Sequence, residues 1–310
     1  MLVLSALIPV NQRSETESQF DAGHEKQAQR FAMSEAMTLN SPPPLIDIGA
    51  NLGHESFVHD LDVVIQHARD VGIVHMIVTG TSLHATQRAQ EIAEQHPGFL
   101  SITAGIHPHE ASTCSQEVLA QIGALARCGN VVAVGETGLD FNRDFSPRPM
   151  QEEIFQQQLQ LACEIGKPVF LHQRDAHSRF LPILKNFRDQ LARGGVVHCF
   201  TGERDELYDY LDLDMYIGIT GWICDERRGQ HLLEMVADIP PERLLLETDA
   251  PYLLPRTLRP RPKSRRNEPR FLPEVLRTVA MATGRTEREV ALSSTANAQR
   301  LFDLDNCQSS

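Results

Sequence analysis

The chain has 310 residues, of which 41% are hydrophobic, and a formal net charge of −12 at pH 7. This composition suits a globular protein with a sizeable core, and it excludes binding to nucleic acid or anionic membranes through overall charge. An anionic substrate would need a local basic patch or a bound cation. The six cysteines form no CxxC pair, and a chain of this size needs no disulfides, so we predict reduced thiols and a cytoplasmic location.

The N-terminal 44 residues are predicted to form a disordered tail. Residues 1–10 are apolar, but no basic residue precedes them, and a bilayer-spanning helix needs about 20 residues. We therefore expect neither a secretory signal nor membrane contact. Residues 11–44 are polar and end in Ser-Pro-Pro-Pro, and Met37 would serve equally well as a start. The predicted organisation is one domain over residues 45–303, with tails at 1–44 and 304–310.

Eight short apolar runs follow along the chain. They are Leu45–Gly49, Val74–Thr79, Leu100–Ile106, Val131–Gly135, Pro168–Leu171, Gly195–Val197, Met215–Thr220 and Arg243–Glu247. Near-continuous hydrophobicity of this kind is typical of strands buried on both faces, as in a parallel sheet. Between the runs lie stretches with helical spacing, for example 57–71, where apolar residues recur at i+3 and i+4. Eight such alternations without an internal linker predict an α/β fold, a single-domain (β/α)₈ TIM barrel.

Metal-binding residue types follow five of the predicted strands, one of which, Leu100–Ile106, is followed by His107-Pro-His109. Glu136, His172, His198 and Asp249 each come at or just after a strand end, where the reactive side chains of such barrels lie. Converging buried carboxylates and imidazoles need a cation to neutralise and satisfy them. Two imidazoles with two carboxylates suit Zn²⁺ or Mn²⁺, and Mg²⁺ is compatible when waters complete its shell. A bridging Glu136 would allow two ions, so the sequence predicts one or two.

Six motifs resemble those of the TatD family of metal-dependent deoxyribonucleases. They are Gly105–His109, Gly135–Asp140, His172–His177, His198–Gly202, Gly221–Arg228 and Glu247–Tyr252, and the resemblance extends over about residues 45–303. It implies a barrel of the metallo-dependent hydrolase superfamily and a nuclease that acts from the 3′ end of DNA. Single strands are the implied preference, with RNA as a further substrate.

The resemblance also implies roles for individual residues. Glu136, His172, His198 and Asp249 correspond to metal ligands, and His107 to a catalytic residue that faces the phosphate. We expect Asp249 to orient or deprotonate the attacking water as a second catalytic residue. His107 would hydrogen-bond the phosphate or protonate the leaving oxygen.

The first strand departs from the family pattern. Many members read Asp-x-His-x-His there, whereas this chain has Gly49 and Asn51 at the histidine positions. Asn51 offers a carbonyl oxygen and Gly49 offers no side chain, so we expect one weakly held ion or a single ion, with Mg²⁺ favoured. A subgroup of the family shares this loss, which favours retained nuclease activity.

A basic segment over residues 256–270 follows the last strand, with seven basic residues and one acidic residue. Its prolines keep it extended, and its position after Asp249 should bring it to the active face, where it would hold a phosphate backbone. The alternative is a solvated basic loop. The predicted substrate-binding residues are Asn51, His109, Arg174, Arg265 and Arg266. For Trp222 the sequence is compatible with either base stacking or core packing.

The sequence is compatible with three functions. The first is phosphodiester hydrolysis of single-stranded DNA or RNA by a monomeric enzyme. The second keeps the metal but changes the substrate to an ester or amide, such as an aminoacyl ester on tRNA. The third is a barrel that has lost catalysis and serves as a binding protein, for which the missing histidines are the best support. A substrate panel and a measurement of bound metal would separate them.

Overall fold

The computed structural model describes residues 42–304, which contain eight parallel strands in the order β1 to β8. The strands are β1 (Leu45–Ala50), β2 (Ile73–Val78), β3 (Leu100–Ala104), β4 (Val131–Asp140), β5 (Val169–Arg174), β6 (Gly195–Val197), β7 (Tyr216–Ile219) and β8 (Leu244–Leu246). The predicted tails at 1–44 and 304–310 lie outside the described residues, apart from 42–44 and Leu304.

Helices separate the strands and complete the C-terminal part of the described chain. They are α1 (Leu61–Asp70), α2 (Leu83–Gln95), α3 (Gln116–Leu125), α4 (Arg148–Ile165), α5 (His177–Phe187), α6 (Arg204–Asp212), α7 (Gln230–Met235), α8 (Leu272–Thr283) and α9 (Glu287–Phe302). Between residues 42 and 304, no helix combines the length and apolar character that crossing a membrane requires. The predicted (β/α)₈ barrel is confirmed.

Local sequence signals set several of the helix ends. The hydroxyls of Ser82 and Ser115 accept backbone N–H groups at the starts of α2 and α3. Thr286 and Glu289 form a reciprocal capping box at the start of α9. At the other end of α8, Gly284 takes a left-handed conformation with φ of 66°, which glycine adopts without steric cost.

Side-chain hydrogen bonds help to close the barrel between β8 and β1. Buried Asp47 accepts the backbone N–H of Thr248 at 2.9 Å and its hydroxyl at 2.5 Å. Further along, the N–H of Asp249 donates to the carbonyl of Gly49 at 2.8 Å. These bonds fix the segment after β8 against β1, so the backbone of Asp249, a predicted metal ligand, is held in place beside that strand.

The interior of the barrel is packed. Inward side chains such as Ile48, Ile77, Phe170 and Leu245 form one buried cluster with residues 298–304 of α9 and the turn after it. A second and larger cluster lies between the strands and the surrounding helices. The packed interior leaves the carboxyl ends of the strands as the place for a functional site.

Two strands extend further than predicted. β4 was expected to end at Gly135 and β5 at Leu171, but β4 continues to Asp140 and β5 to Arg174. The two strands pair throughout this extension after an irregularity in β4 between Val134 and Thr137. Glu136 therefore lies within an irregular part of β4, and its N–H donates across to the carbonyl of Gly80 at 2.8 Å.

Candidate metal centre

Three imidazoles surround the carboxylate of Glu136. Its Oε1 atom lies 2.7 Å from His198 Nε2, 2.9 Å from His172 Nδ1 and 3.4 Å from His107 Nε2. Glu136 and His198 are buried, and His172 is half-buried. The structure thus brings together residues of β4, β5 and the segment after β6, three of the four predicted ligands.

The electrostatics of this cluster are those of strongly paired buried groups. Burial opposes charge on Glu136, but the imidazoles of His198 and His107 outweigh it and lower its pKa well below the usual range. Burial likewise opposes charge on His198, but Glu136 and Glu247 raise its pKa well above the usual value. In the absence of a cation, protons on His172 and His198, whose pKa values are raised by the neighbouring carboxylates, therefore balance the buried carboxylate.

Each of the two central histidines has a second carboxylate at its far nitrogen. His198 Nδ1 lies 3.3 Å from Glu247 Oε2, and His172 Nε2 lies 3.4 Å from Asp140 Oδ2. Both carboxylates are buried. Metal-ligating histidines ordinarily direct their remote N–H at a carboxylate or carbonyl, which fixes the tautomer that binds the ion. Here that arrangement would leave Nδ1 of His172 and Nε2 of His198 to face the ion.

The donor set fits a divalent cation. Ligand atoms of His107, Glu136 and His172 all lie within 4.8 Å of one another. The buried Nε2 of His172 has no hydrogen bond of good geometry within residues 42–304, since its 3.4 Å approach to Asp140 is poorly aligned. An ion at Nδ1 would displace the proton from that nitrogen and favour an N–H at Nε2, directed at Asp140.

Asp249 lies beside this cluster and is held by Asn51. The Nδ2 atom of Asn51 donates to Asp249 Oδ1 at 2.9 Å. Burial raises the pKa of Asp249 to about 7, with the charges of Glu136 and Glu247 adding to the rise and His198 opposing it. A cation would reverse this effect, because it favours the charged carboxylate. In this structure the Asp249 carboxylate is fixed by its hydrogen bond from the amide of Asn51.

Gly49 lies against Glu247, which accounts for the missing side chain in β1. A Cβ atom at Gly49 would stand 2.4 Å from Oε2 of Glu247, and one at Gly218 would stand 2.5 Å from Oε1. Any larger residue at either position would have to displace the carboxylate that faces His198. Residue 49 therefore cannot be a histidine while Glu247 keeps its present position.

The His107-Pro-His109 segment supplies two further imidazoles. His107 Nδ1 accepts the backbone N–H of His109 at 3.1 Å, so the ring proton of a neutral His107 lies on Nε2, which faces Glu136. Burial lowers the pKa of His107 to about 4, although Glu136 opposes the change. His109 Nε2 lies 2.8 Å from Asp140 Oδ2. His107 is therefore oriented as a hydrogen-bond donor into the site.

Arginines near the two ends of the basic segment after β8 form ion pairs. Arg266 donates to both carboxylate oxygens of Asp60, at 2.9 and 2.7 Å, and to buried Glu268 at 2.9 Å. Near the other end, Arg256 donates to Glu226 at 2.8 Å. Within residues 42–304, Arg265 is exposed and has no ion pair.

Replacing Arg266 by alanine is expected to lower the free energy of unfolding by about 1–3 kcal/mol. Asp60 loses its bidentate partner and buried Glu268 keeps only Arg270, so acceptors are left undersatisfied. Arg265→Ala removes the same charge one residue away and is expected to change stability by less than about 0.5 kcal/mol. Urea titrations of both variants would measure this, and equal losses would contradict a specific anchoring role for Arg266.

Asp140 and Glu247 were not among the residues predicted for the site. Both belong to motifs identified in the sequence, one at the end of Gly135–Asp140 and the other at the start of Glu247–Tyr252. Membership of those motifs was the available signal. Asp140 lies one strand from His172 and Glu247 lies two strands from His198, and spacing along the chain alone cannot pair such residues.

The fold and the site define a metal-dependent hydrolase barrel, with acidic and imidazole donors gathered at the carboxyl ends of its strands. The family model described as TatD related DNase matches residues 46–303. The chain belongs to this family, as its motifs predicted, and family and cluster together indicate a divalent-metal centre.

Relatives and solved structures agree with this assignment. A 3′-5′ ssDNA/RNA exonuclease TatD from Pantoea vagans is 51% identical over 260 residues, which cover 84% of this chain and all of the relative. Among solved structures, YJJV, a TatD homolog from Escherichia coli, has a TM-score of 0.76 at 30% identity and covers 84% of this chain and 98% of its own. A TatD family hydrolase from Entamoeba histolytica has a TM-score of 0.77 at 27% identity, covering 85% and 99%.

Proposed function

We propose that this protein is a divalent-metal-dependent nuclease that releases nucleotides from the 3′ end of single-stranded DNA and RNA. The observation that carries the proposal is the convergence of His172 Nδ1 and His198 Nε2 on Glu136 in a member of a DNase family. The relative from Pantoea vagans, aligned over its full length, is named for this activity and supports the polarity and the substrates.

Glu136, His172, His198 and Asp249 would hold the cation. A divalent ion supplies Lewis acidity at such a centre, where it neutralises phosphoryl charge and makes water a better nucleophile. We propose Mg²⁺ as the physiological ion, because β1 contributes no imidazole and the carboxylates of Glu136 and Asp249 suit a hard ion. Mn²⁺ and Zn²⁺ are the alternatives to compare, each with one or two ions.

The remaining steps belong to side chains of this chain. Asp249, held by Asn51 at 2.9 Å, would orient the attacking water and accept its proton. His107 would donate its Nε2 hydrogen to a phosphate oxygen, because Nδ1 is already engaged by the backbone of His109. This role for His107 is hydrogen bonding to the phosphate. The leaving oxygen would take its proton from solvent water or from Asp249, once that residue has accepted the proton of the attacking water.

The proposal is tested with single-stranded oligonucleotides that carry a fluorophore at the 5′ end and either a free or a blocked 3′ hydroxyl. In Mg²⁺ we expect a ladder that shortens from the 3′ end, no digestion of the blocked strand, and complete loss of activity in EDTA with recovery on adding metal. Digestion that persists in EDTA would contradict metal dependence. Shortening of the 3′-blocked strand would contradict the polarity.

The same assay separates the alternative functions. An aminoacyl ester hydrolase would leave the oligonucleotide intact and release amino acid from charged tRNA. A barrel that only binds would leave both substrates intact while retaining metal. The buried Glu136 cluster favours an enzyme over a binding protein, since unreactive proteins gain little from such a costly group of charges.

We also propose that the protein acts in the cytoplasm as a monomer. The five cysteines between residues 42 and 304 are free, which suits a reducing compartment. Light scattering coupled to size-exclusion chromatography would test the monomer, and a dimer mass would contradict it.

A further inference from the structure

Two arginines share one tryptophan at the barrel mouth. The guanidinium carbon of Arg174 lies 5.7 Å from the ring centroid of Trp222, and that of Arg228 lies 5.8 Å from the same ring. Both distances fall within the range of about 6 Å in which a cation is attracted to an aromatic ring. We refer to Arg174, Trp222 and Arg228 as the Arg–Trp–Arg cluster.

The topology places this cluster beside the metal centre. Arg174 is the last residue of β5, two positions after His172, and Trp222 lies in the turn Gly221–Cys224 that follows β7. β5 and β7 both pair with β6, whose carboxyl end supplies His198. The cluster therefore lies at the same mouth, at the ends of β5 and β7, which are the two strands next to the one that supplies His198.

The two guanidiniums differ from other arginines of this face. Throughout residues 42–304, neither Arg174 nor Arg228 has an ion pair or a side-chain hydrogen bond, and Arg228 is exposed. Arg227, by contrast, lies 3.3 Å from Asp225, and Arg256 donates to Glu226 at 2.8 Å. A guanidinium next to an aromatic ring keeps its N–H donors available, and those donors match phosphate oxygens.

We propose that the Arg–Trp–Arg cluster is a subsite for the backbone of a single-stranded nucleic acid, in which Arg174 and Arg228 bind phosphates outside the scissile one. Trp222 is the positioning residue that holds the two guanidiniums. The inference rests on the proposed nuclease function and deepens it by naming where the strand is held. A local cationic site is needed because the chain as a whole carries a charge of −12.

The test uses the whole protein in EDTA, so that binding is measured without hydrolysis. The chain contains one tryptophan, so its fluorescence reports Trp222 directly. Titration with a 12-residue oligothymidylate is expected to give a saturable change in this fluorescence, with the Kd confirmed by anisotropy of a 5′-labelled strand. Repeating the titration from 50 to 200 mM NaCl gives the slope of log affinity against log salt.

Arg174→Gln and Arg228→Gln are each expected to weaken binding about fivefold and to reduce the magnitude of the salt slope by about 0.7, the value for one phosphate contact on a single strand. Arg227→Gln is the matched control. It removes the same charge one residue away, but from an arginine paired with Asp225, and should leave the slope unchanged. Equal effects of Arg227→Gln and Arg228→Gln, or unchanged slopes in all three, would overturn the proposal.

Trp222→Leu tests the positioning role, because it keeps both charges. We expect it to weaken binding and reduce the slope, with rescue by Trp222→Phe, and circular dichroism will show whether each variant is folded. Thymidine monophosphate has one phosphate and should not displace the strand at millimolar concentration. Full displacement would overturn the assignment to a strand. Because binding is measured without hydrolysis, these salt slopes would support the subsite even if the protein had no nuclease activity.

Discussion

Glu136→Ala is expected to reduce nucleotide release from single-stranded DNA in Mg²⁺ by about 10³-fold or more. Glu136 is the carboxylate on which His172, His198 and His107 converge, so its loss removes the centre of the proposed ligand set. A loss of about 4 kcal/mol of transition-state stabilisation corresponds to a factor of this size. Initial rates on a 5′-labelled oligonucleotide over a range of Mg²⁺ concentrations would measure it.

The fold should survive this substitution. His198 keeps Glu247 and His172 keeps Asp140 as carboxylate partners, so neither imidazole loses all its electrostatic support. Glu136→Gln provides a second variant of nearly the same volume. Glu274→Gln is the control, since Glu274 is also buried but pairs with Arg277 on α8. Normal activity of the folded Glu136→Ala protein would refute the assignment of Glu136, whatever the metal concentration.

Asp140→Asn and Glu247→Gln are each expected to weaken divalent-metal binding by about 10- to 100-fold, the usual effect of losing a carboxylate behind a metal-ligating histidine. Asp140 faces His172 Nε2 and Glu247 faces His198 Nδ1, so each variant loosens one ring and lowers its basicity. Isothermal titration of the metal-free proteins with Mn²⁺ would measure the change directly. Glu274→Gln again serves as the buried-carboxylate control.

These two variants should differ from Glu136→Ala in one respect. Excess metal is expected to restore much of the activity of Asp140→Asn and Glu247→Gln, because the ligand atoms remain and only their orientation is impaired. Excess metal should not rescue Glu136→Ala. Unchanged Mn²⁺ affinity in both Asp140→Asn and Glu247→Gln would show that the two carboxylates serve the fold rather than the metal centre.

The sequence predicted the barrel because the signals for it are local. Apolar β-branched runs and amphipathic stretches alternate along the chain, and each can be recognised without its partners. In such a barrel every strand brings its carboxyl end to one mouth, so Glu136, His172 and His198 could be expected to meet there. The lengths of β4 and β5 could not be predicted, because their extensions are stabilised by pairing with each other.

The partners of polar side chains were decided by tertiary structure alone. Arg266 was among the residues predicted to bind substrate and Arg228 was not, but Arg266 pairs with Asp60, which is 206 residues away, whereas Arg228 lies over Trp222. Glu247 likewise faces His198, which is 49 residues away along the chain, and only the tertiary structure brings the two together. The sequence by itself determined the barrel and the position of Glu136, His172 and His198 at its mouth. Which of them are neutralised and which remain available to a ligand depends on distances through space, which only the folded chain defines.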